Sequence, residues 1–376
     1  MSQRHPLLLG GGYGSPYSIK MRGVLRYRQI PFRWILRGSK WDNLPDVPVQ
    51  IIPVIAFPND DGDYTEAMVD SSPQIMRLET MFNERSLVPS DPVVAFIDYL
   101  IEDYGDEWVT KPMYHYRWYY DAAIDKASKL LPLDRGGLDL PDDQWQQMQA
   151  YISERQIGRR AMVGSTQENR PIIEDSYHRL LALLSAHFES QMFLLGDRPG
   201  RGDFGLFGQL HQLVSWEPES AREAIDRAPR VRNWVDRMDD LSWWETPAGD
   251  AGWVDCDSIS DTTVALLHEV GRTYAPFMIA NAAALQAGAD EMSCTIDEQT
   301  YARFGCQERT RNEKPGALRS LGNGRFARRM GDTHVEFSCP TLEVDLREDD
   351  HCYTAEIPVQ HEHYPFVTVA TRVLTS

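Results

Sequence analysis

Residues 6–36 read PLLLGGGYGSPYSIKMRGVLRYRQIPFRWIL, and their pattern sets the architecture. Pro6–Gly10 is a short apolar run ending in glycines, as a buried strand would. Gly10-Gly11-Gly12-Tyr13-Gly14 is a flexible turn. Ser15-Pro16 then opens a helix, since serine is a favoured N-cap and proline a favoured first helical residue. Met21, Val24, Leu25 and Tyr27/Arg28 step by three and four, and Pro31 ends it. Phe32–Leu36 reads as a second strand. Strand, helix, strand in this order favours parallel pairing.

Working outward, Ile51–Phe57 is an apolar run with Pro53 near its mouth, where a proline is tolerated and its peptide bond can be cis. Asn59-Asp60-Asp61-Gly62-Asp63 is a hairpin turn, and Tyr64–Val69 reads as the returning strand. Asp70-Ser71-Ser72-Pro73 caps a further helix with Ile75, Leu78 and Phe82 on one face. From Asp91 to about Ser242 the apolar period becomes three to four. Phe96, Leu100, Tyr104 and Trp108 share one face; so do Tyr177, Leu180, Leu181, Leu184 and Phe188. Pro132–Pro141 reads as a loop between helices. Thr263–Ala287 is helical in pattern, interrupted by Gly271 and Pro276. From Glu291 onward short alternating runs predict small β-hairpins or a partly ordered tail.

The chain has 376 residues, 42% of them hydrophobic, which excludes global disorder and allows two compact domains. Lys and Arg number 38 against 56 Asp and Glu, a net charge of −18. Such a chain repels a phosphate backbone, so no nucleic-acid partner is expected. No run of about 18 apolar residues exists to span a bilayer, so no membrane partner is expected. The apolar run after Met1–Pro6 is too short for a secretory signal, which predicts a cytoplasmic protein. The five cysteines, Cys256, Cys294, Cys306, Cys339 and Cys352, are odd in number and lack C-x-x-C spacing, against a disulfide framework or zinc ribbon. The first 255 residues carry no thiol. His351-Cys352 and His361-Glu362-His363 lack converging partners in the sequence, and no metal is expected.

The β-α-β, β-β-α start followed by helices resembles the glutathione transferase superfamily. The resemblance rests on Ser15-Pro16-Tyr17-Ser18 with Lys20 and Arg22, on Ile52-Pro53-Val54-Ile55, on Asp70-Ser71 with Ile75, and on Gly196–Phe204. It covers roughly residues 6 to 245. It implies an α/β thioredoxin-like, glutathione-binding domain over 6–85 and an all-α helical bundle over 91–245 that builds the second-substrate site. A helical extension over 255–290 and the tail over 291–376 lie outside it.

The resemblance implies roles for particular residues. Glutathione reacts as its thiolate, and a free thiol has a pKa of about 8.5. A hydroxyl and a helix N-terminus can favour the anion. Similarity gives the thiolate-stabilising role to Ser15, with Tyr13 and Ser18 in reserve; the same Ser15 also reads as a plain N-cap. Pro53, cis in this superfamily, would let the Ile52 backbone meet the cysteinyl part of glutathione. Ser71, at a helix N-terminus, suits the γ-glutamyl carboxylate, and Asp70 its ammonium; a capping pair without ligand is the alternative. Asp203 is expected as a buried capping-box acid, with Gly200 standing where the family has serine or threonine. Trp108, Tyr114, His115, Arg117 and Trp118 could line the second-substrate pocket or form interhelical core.

The activity implied is thiolate attack on a small electrophile, with glutathione as co-substrate, in a homodimer. A non-catalytic binding or assembly protein is the competing reading, favoured by the long C-terminal region. Thiol–disulfide exchange is disfavoured by the missing cysteine.

Overall fold

The computed structural model describes residues 5–47, 49–287, 289 and 291–304, and the strands 318–322, 325–330, 333–338, 352–355 and 368–373. Contacts divide the chain into two units, one of residues 1–160 and 173–266, the other of 161–172 and 267–376.

The first unit opens with β1 (Leu7–Gly11), α1 (Pro16–Tyr27), β2 (Phe32–Leu36), β3 (Val54–Pro58), β4 (Tyr64–Val69) and α2 (Ser71–Met81). The strands form one mixed sheet in the order β2-β1-β3-β4. Leu7 pairs with Phe32 in parallel, while β3 runs antiparallel to both neighbours. The expected strand–helix–strand start and hairpin are therefore present, with Ile52-Pro53 cis. Leu8, Ile35 and Ala56 form a core on one sheet face. Ile19, Met21, Val24 and Leu25 of α1 are fully buried. Those positions are the three-to-four-residue stripe of an amphipathic helix.

Helices follow: α3 (Pro92–Tyr104), α4 (Thr110–Tyr119), α5 (Asp121–Gly136), α6 (Asp142–Ile157), the single turn α7 (Arg160–Val163), α8 (Arg170–His187), α9 (Arg201–His211), α10 (Pro218–Arg227) and α11 (Pro229–Met238). A π-type turn, Gly105–Val109, joins α3 to α4, and another, Gln212–Trp216, follows α9. Such turns interrupt the regular ladder and recur at functional sites. Asp91 caps α3 by accepting from Val93 N and Val94 N at 2.8 and 3.0 Å, as its place before Pro92 predicts. One expectation fails: Pro132 lies inside α5, which continues to Gly136, so the connection to α6 is shorter than the sequence suggested. The fixed φ of proline is compatible with a helix, and the cost is a missing amide donor.

Close helix approach depends on small residues of α9. A Cβ on Gly205 would lie 2.9 Å from the Glu102 Cα of α3, and one on Gly208 2.7 Å from the Pro16 carbonyl oxygen of α1. Backbone cannot give way as a side-chain end can. Gly205→Ala is therefore expected to destabilise the protein by about 1–3 kcal/mol in denaturant titrations, despite alanine's better helix propensity.

The boundary helix α12 (Asp261–Glu269) leads through a π-type turn, Val270–Tyr274, into α13 (Ala275–Ala287). Gly271 thus sits in an altered turn rather than at a break. In the second unit β5 (Glu291–Ile296) and β6 (Gln299–Phe304) make an antiparallel hairpin through Asp297 and Glu298, at φ 52° and 61°. The positive φ pair is that of a primed hairpin turn. Five further strands, β7 (Leu318–Gly322), β8 (Arg325–Met330), β9 (Thr333–Ser338), β10 (Cys352–Ala355) and β11 (Thr368–Val373), form an antiparallel sheet in the order β10-β11-β9-β8-β7. His351, His361, Glu362 and His363 lie outside the described residues.

Candidate functional site

Strand register brings three segments to one end of the first sheet. Gly10, at the end of β1, pairs with Val54, at the start of β3, and Val54 pairs with Val69, at the end of β4. The chain leaving β1 (Gly12–Ser15), the chain entering β3 (Ile52-Pro53) and the chain leaving β4 (Asp70-Ser71) therefore emerge together. Two helices, α1 and α2, start there, each bringing the positive end of its dipole.

Ser15 is the N-cap of α1, partly buried, with its Oγ accepting from Ser18 N at 3.3 Å. Accepting that bond leaves the hydroxyl proton available for donation. The other two candidate hydroxyls differ. Ser18 is fully buried, and a Cβ on Gly11 of β1 would lie 2.6 Å from its Oγ, so it faces the sheet. Tyr13 is 47% exposed; its ring is 5.7 Å from that of Trp34 and 5.8 Å from the Arg22 guanidinium. Ile52 is partly buried and Pro53 buried. The Pro53 carbonyl accepts from Gln74 Nε2 at 2.9 Å, which ties α2 to this end of β3. Asp70 adopts φ 79° and ψ 115°, a region costly for any residue but glycine. Such outliers concentrate at functional sites.

Beneath Ser71 lies a buried charge network that sequence reading missed. Lys20 Nζ, on α1, is fully buried and sits 2.7 Å from Glu102 Oε1, 2.7 Å from Asp106 Oδ2 and 3.3 Å from Ser71 Oγ. Ser72 donates to Glu102 at 2.8 Å. Arg201 Nε pairs with Asp98 Oδ2 at 3.0 Å, and Gly202 N donates to Asp98 Oδ1 at 2.8 Å. Burial opposes the Lys20 charge, but Asp106 and Glu102 outweigh it and hold the ammonium above its ordinary range. Glu102 is buried too, yet Lys20 and Arg201 pull it below the ordinary glutamate value. A signal existed: Asp98, Glu102 and Asp106 step by four along α3 and into the π-type turn that follows it, a helical spacing among mostly apolar neighbours.

Asp203 is buried as expected. It accepts from Leu194 N at 3.1 Å and from Gly200 N at 2.9 Å, and no side chain at Gly200 is needed for the second bond. Burial pushes three carboxyls up: Asp98 to about 6, Asp106 to about 7 and Asp203 to about 8. Their unfolded values are near about 3.9, so between about pH 4 and about pH 8 the native state binds more protons than the unfolded chain. Their contribution is complete below the unfolded value and lost as pH rises through the folded ones. The denaturation midpoint is therefore expected to fall from about pH 5 to about pH 8, the reverse of ordinary acid denaturation.

The aromatic stretch lies mostly between helices. Trp108, His115 and Trp118 are buried among helices, at 0%, 0% and 2% exposure. Tyr114 is partly buried and donates to the Gln156 carbonyl at 2.7 Å. Of its two readings, interhelical core is the one this burial fits. Arg117 is buried but reaches the site: its Nη1 donates to the Gly14 carbonyl at 2.6 Å and its Nη2 to Gln212 Oε1 at 2.7 Å, while Nε pairs with Glu217. Asp134 and Gln212 also reach the turn before Ser15, and neither was singled out from sequence. Among the described residues no group of three or more His, Cys, Asp or Glu is arranged to hold a metal ion. Among them, too, no helix is long and apolar enough to cross a membrane.

Comparison with known proteins finds two domain matches. Residues 9–86 match the family model described as glutathione S-transferase, N-terminal domain, and residues 145–237 the one described as glutathione S-transferase, C-terminal domain. The chain belongs to the glutathione S-transferase superfamily. Similar solved structures include a beta-etherase from Sphingobium sp. strain SYK-6, 20% identical, covering 62% of this chain and 94% of its own at a TM-score of 0.43. A glutathione S-transferase from Methylobacterium radiotolerans, in complex with glutathione sulfonate, is 17% identical, covering 68% of this chain and 98% of its own at 0.37. A GST-like protein from Pseudomonas syringae is 15% identical, covering 89% and 96% at 0.36. No curated protein matches the chain.

Proposed function

We propose that this protein is a glutathione-dependent transferase that activates the glutathione thiol as thiolate for attack on a small electrophile. The observation that carries this reading is the convergence, by strand register, of the Ser15 and Ser71 helix starts at one end of the sheet. Two helix N-termini there offer positive potential to the thiolate and to the γ-glutamyl carboxylate. The γ-glutamyl carboxylate lies at Ser71, its ammonium at Asp70, the peptide backbone along Ile52 and the sulfur at Ser15. The bond between Lys20 and Ser71 Oγ occupies an acceptor site of that hydroxyl and leaves its proton for the carboxylate. The protein works as a homodimer in the cytoplasm.

Calorimetric titration with glutathione tests the binding half of the proposal. Asp70→Ala removes a charge-assisted bond to the ammonium and is expected to weaken binding by about 1.5–3 kcal/mol. Equal affinity in wild type and variant would show that Asp70 is a turn residue and no ligand contact. A wild type that binds no glutathione would favour the non-catalytic reading.

A further inference from the structure

Three side chains from the helical part of the first unit grip the turn that carries Ser15. Asp134, on α5, accepts from Gly14 N at 2.8 Å. Arg117, on α4, donates to the Gly14 carbonyl at 2.6 Å. Gln212, at the start of the π-type turn after α9, donates to the Tyr13 carbonyl at 3.2 Å and accepts from Arg117 at 2.7 Å. Arg117 and Gln212 are buried, at 5% and 0% exposure. Arg117 is fixed in turn by the fully buried Glu217 and stacks over Trp216, 4.5 Å from the ring centroid. The fit is tight: a Cβ on Gly14 would lie 2.1 Å from Leu131 Cδ2 of α5.

A turn rich in glycine does not hold its own shape, because glycine restricts the backbone least of all residues. Gly10 and Gly11 are held in β1, but the turn between that strand and Ser15 still contains two glycines, Gly12 and Gly14. The turn closes on one bond of its own, Ser15 N to the Gly12 carbonyl at 3.1 Å; the Tyr13 carbonyl, the Gly14 N–H and the Gly14 carbonyl are bonded to the helical part. We propose that Asp134, Arg117 and Gln212 form a clamp that positions Ser15, so that the helical part fixes where the thiolate-stabilising hydroxyl points. They are positioning residues, acting through the Tyr13–Gly14 backbone. The inference rests on the glutathione reading of the site for its consequence in catalysis, but the clamp itself is observable without ligand.

Two variants avoid the buried Arg117–Glu217 pair, whose disruption would threaten folding: Asp134→Ala and Gln212→Leu. Each is measured in the full chain, with a thermal melt to show that it folds. Without glutathione, hydrogen exchange is followed in the peptide containing residues 12–18. With saturating glutathione, the bound thiol is titrated by its thiolate absorbance. Both variants are expected to speed exchange in that peptide. Both should also raise the bound thiol pKa and slow conjugation by about 10- to 100-fold, with glutathione affinity within about 2-fold of wild type, as a displaced catalytic group would do. Asp134→Asn keeps an acceptor for Gly14 N–H while removing the charge, and should restore protection and thiol pKa toward wild type. If Asn behaves as Ala does, the Asp134 charge and not its grip is responsible, and the clamp is overturned. Unchanged exchange in folded Asp134→Ala and Gln212→Leu overturns it as well. Faster exchange in a protein that binds no glutathione would keep the grip on the turn and overturn the glutathione reading instead.

Discussion

Ser15→Ala is expected to slow conjugation of glutathione to a small electrophile by about 10- to 1000-fold, the loss that follows removal of one preorganised donor to a developing anion. Glutathione affinity should change little, because the proposed pose holds the γ-glutamyl ammonium and carboxylate at Asp70 and Ser71, away from the sulfur. The loss should therefore fall in kcat. Alanine also removes the N-cap bond to Ser18 N, at 3.3 Å a long one. Its stability cost is expected at the lower end of cap losses, about 0.5–1 kcal/mol. Rate and stability are measured separately, by initial rates at saturating glutathione and by denaturant titration. A stability loss with an unchanged rate would make Ser15 a cap alone and turn the search to Tyr13.

The largest stability effect is expected at Lys20. Its ammonium is fully buried between Glu102, Asp106 and Ser71. Lys20→Met keeps the volume of the side chain but strands Asp106 without its cation and leaves Glu102 only Arg201, 4.0 Å away. Breaking a buried pair from one side costs about 3–5 kcal/mol. Denaturant titration at two pH values checks the cause. Asp106, pushed up to about 7 by burial against the pull of Lys20, will rise further once the cation is gone. At about pH 5 it takes a proton and the penalty should shrink; at about pH 8 it should be greatest. A penalty independent of pH would mean that lost packing, not stranded charge, causes it.

The residues that sequence reading placed well are those governed by local rules. Ser15-Pro16 opens a helix because capping and the fixed proline φ act within one turn. Asp203 caps α9 for the same reason, even with Gly200 in front of it. The alternating runs of β1 to β4 follow from the two-residue period of a strand. Residues whose partners lie a hundred positions away were less legible. Arg117 among aromatics looks like a pocket residue, but its partners, Gly14, Gln212 and Glu217, are all remote in sequence. Asp134 falls in a Gly- and Pro-rich stretch, Pro132–Pro141, that reads as a loop, and nothing local announces its bond to Gly14. Lys20 was noticed only as part of a motif, since nothing local says that a lysine two residues before Arg22 is the buried one. The acidic stripe of Asp98, Glu102 and Asp106 was open to a periodicity argument, and burial of its apolar neighbours would have pointed to a cation opposite it.

The central claim is that the protein binds glutathione at this end of the sheet and lowers the pKa of its thiol. The most direct test is thiolate absorbance of the wild-type protein saturated with glutathione, titrated against pH. The account predicts a bound thiol pKa about one to two units below the free value near 8.5, a stabilisation of about 1.4–2.7 kcal/mol. A bound thiol that titrates with the free one would contradict it.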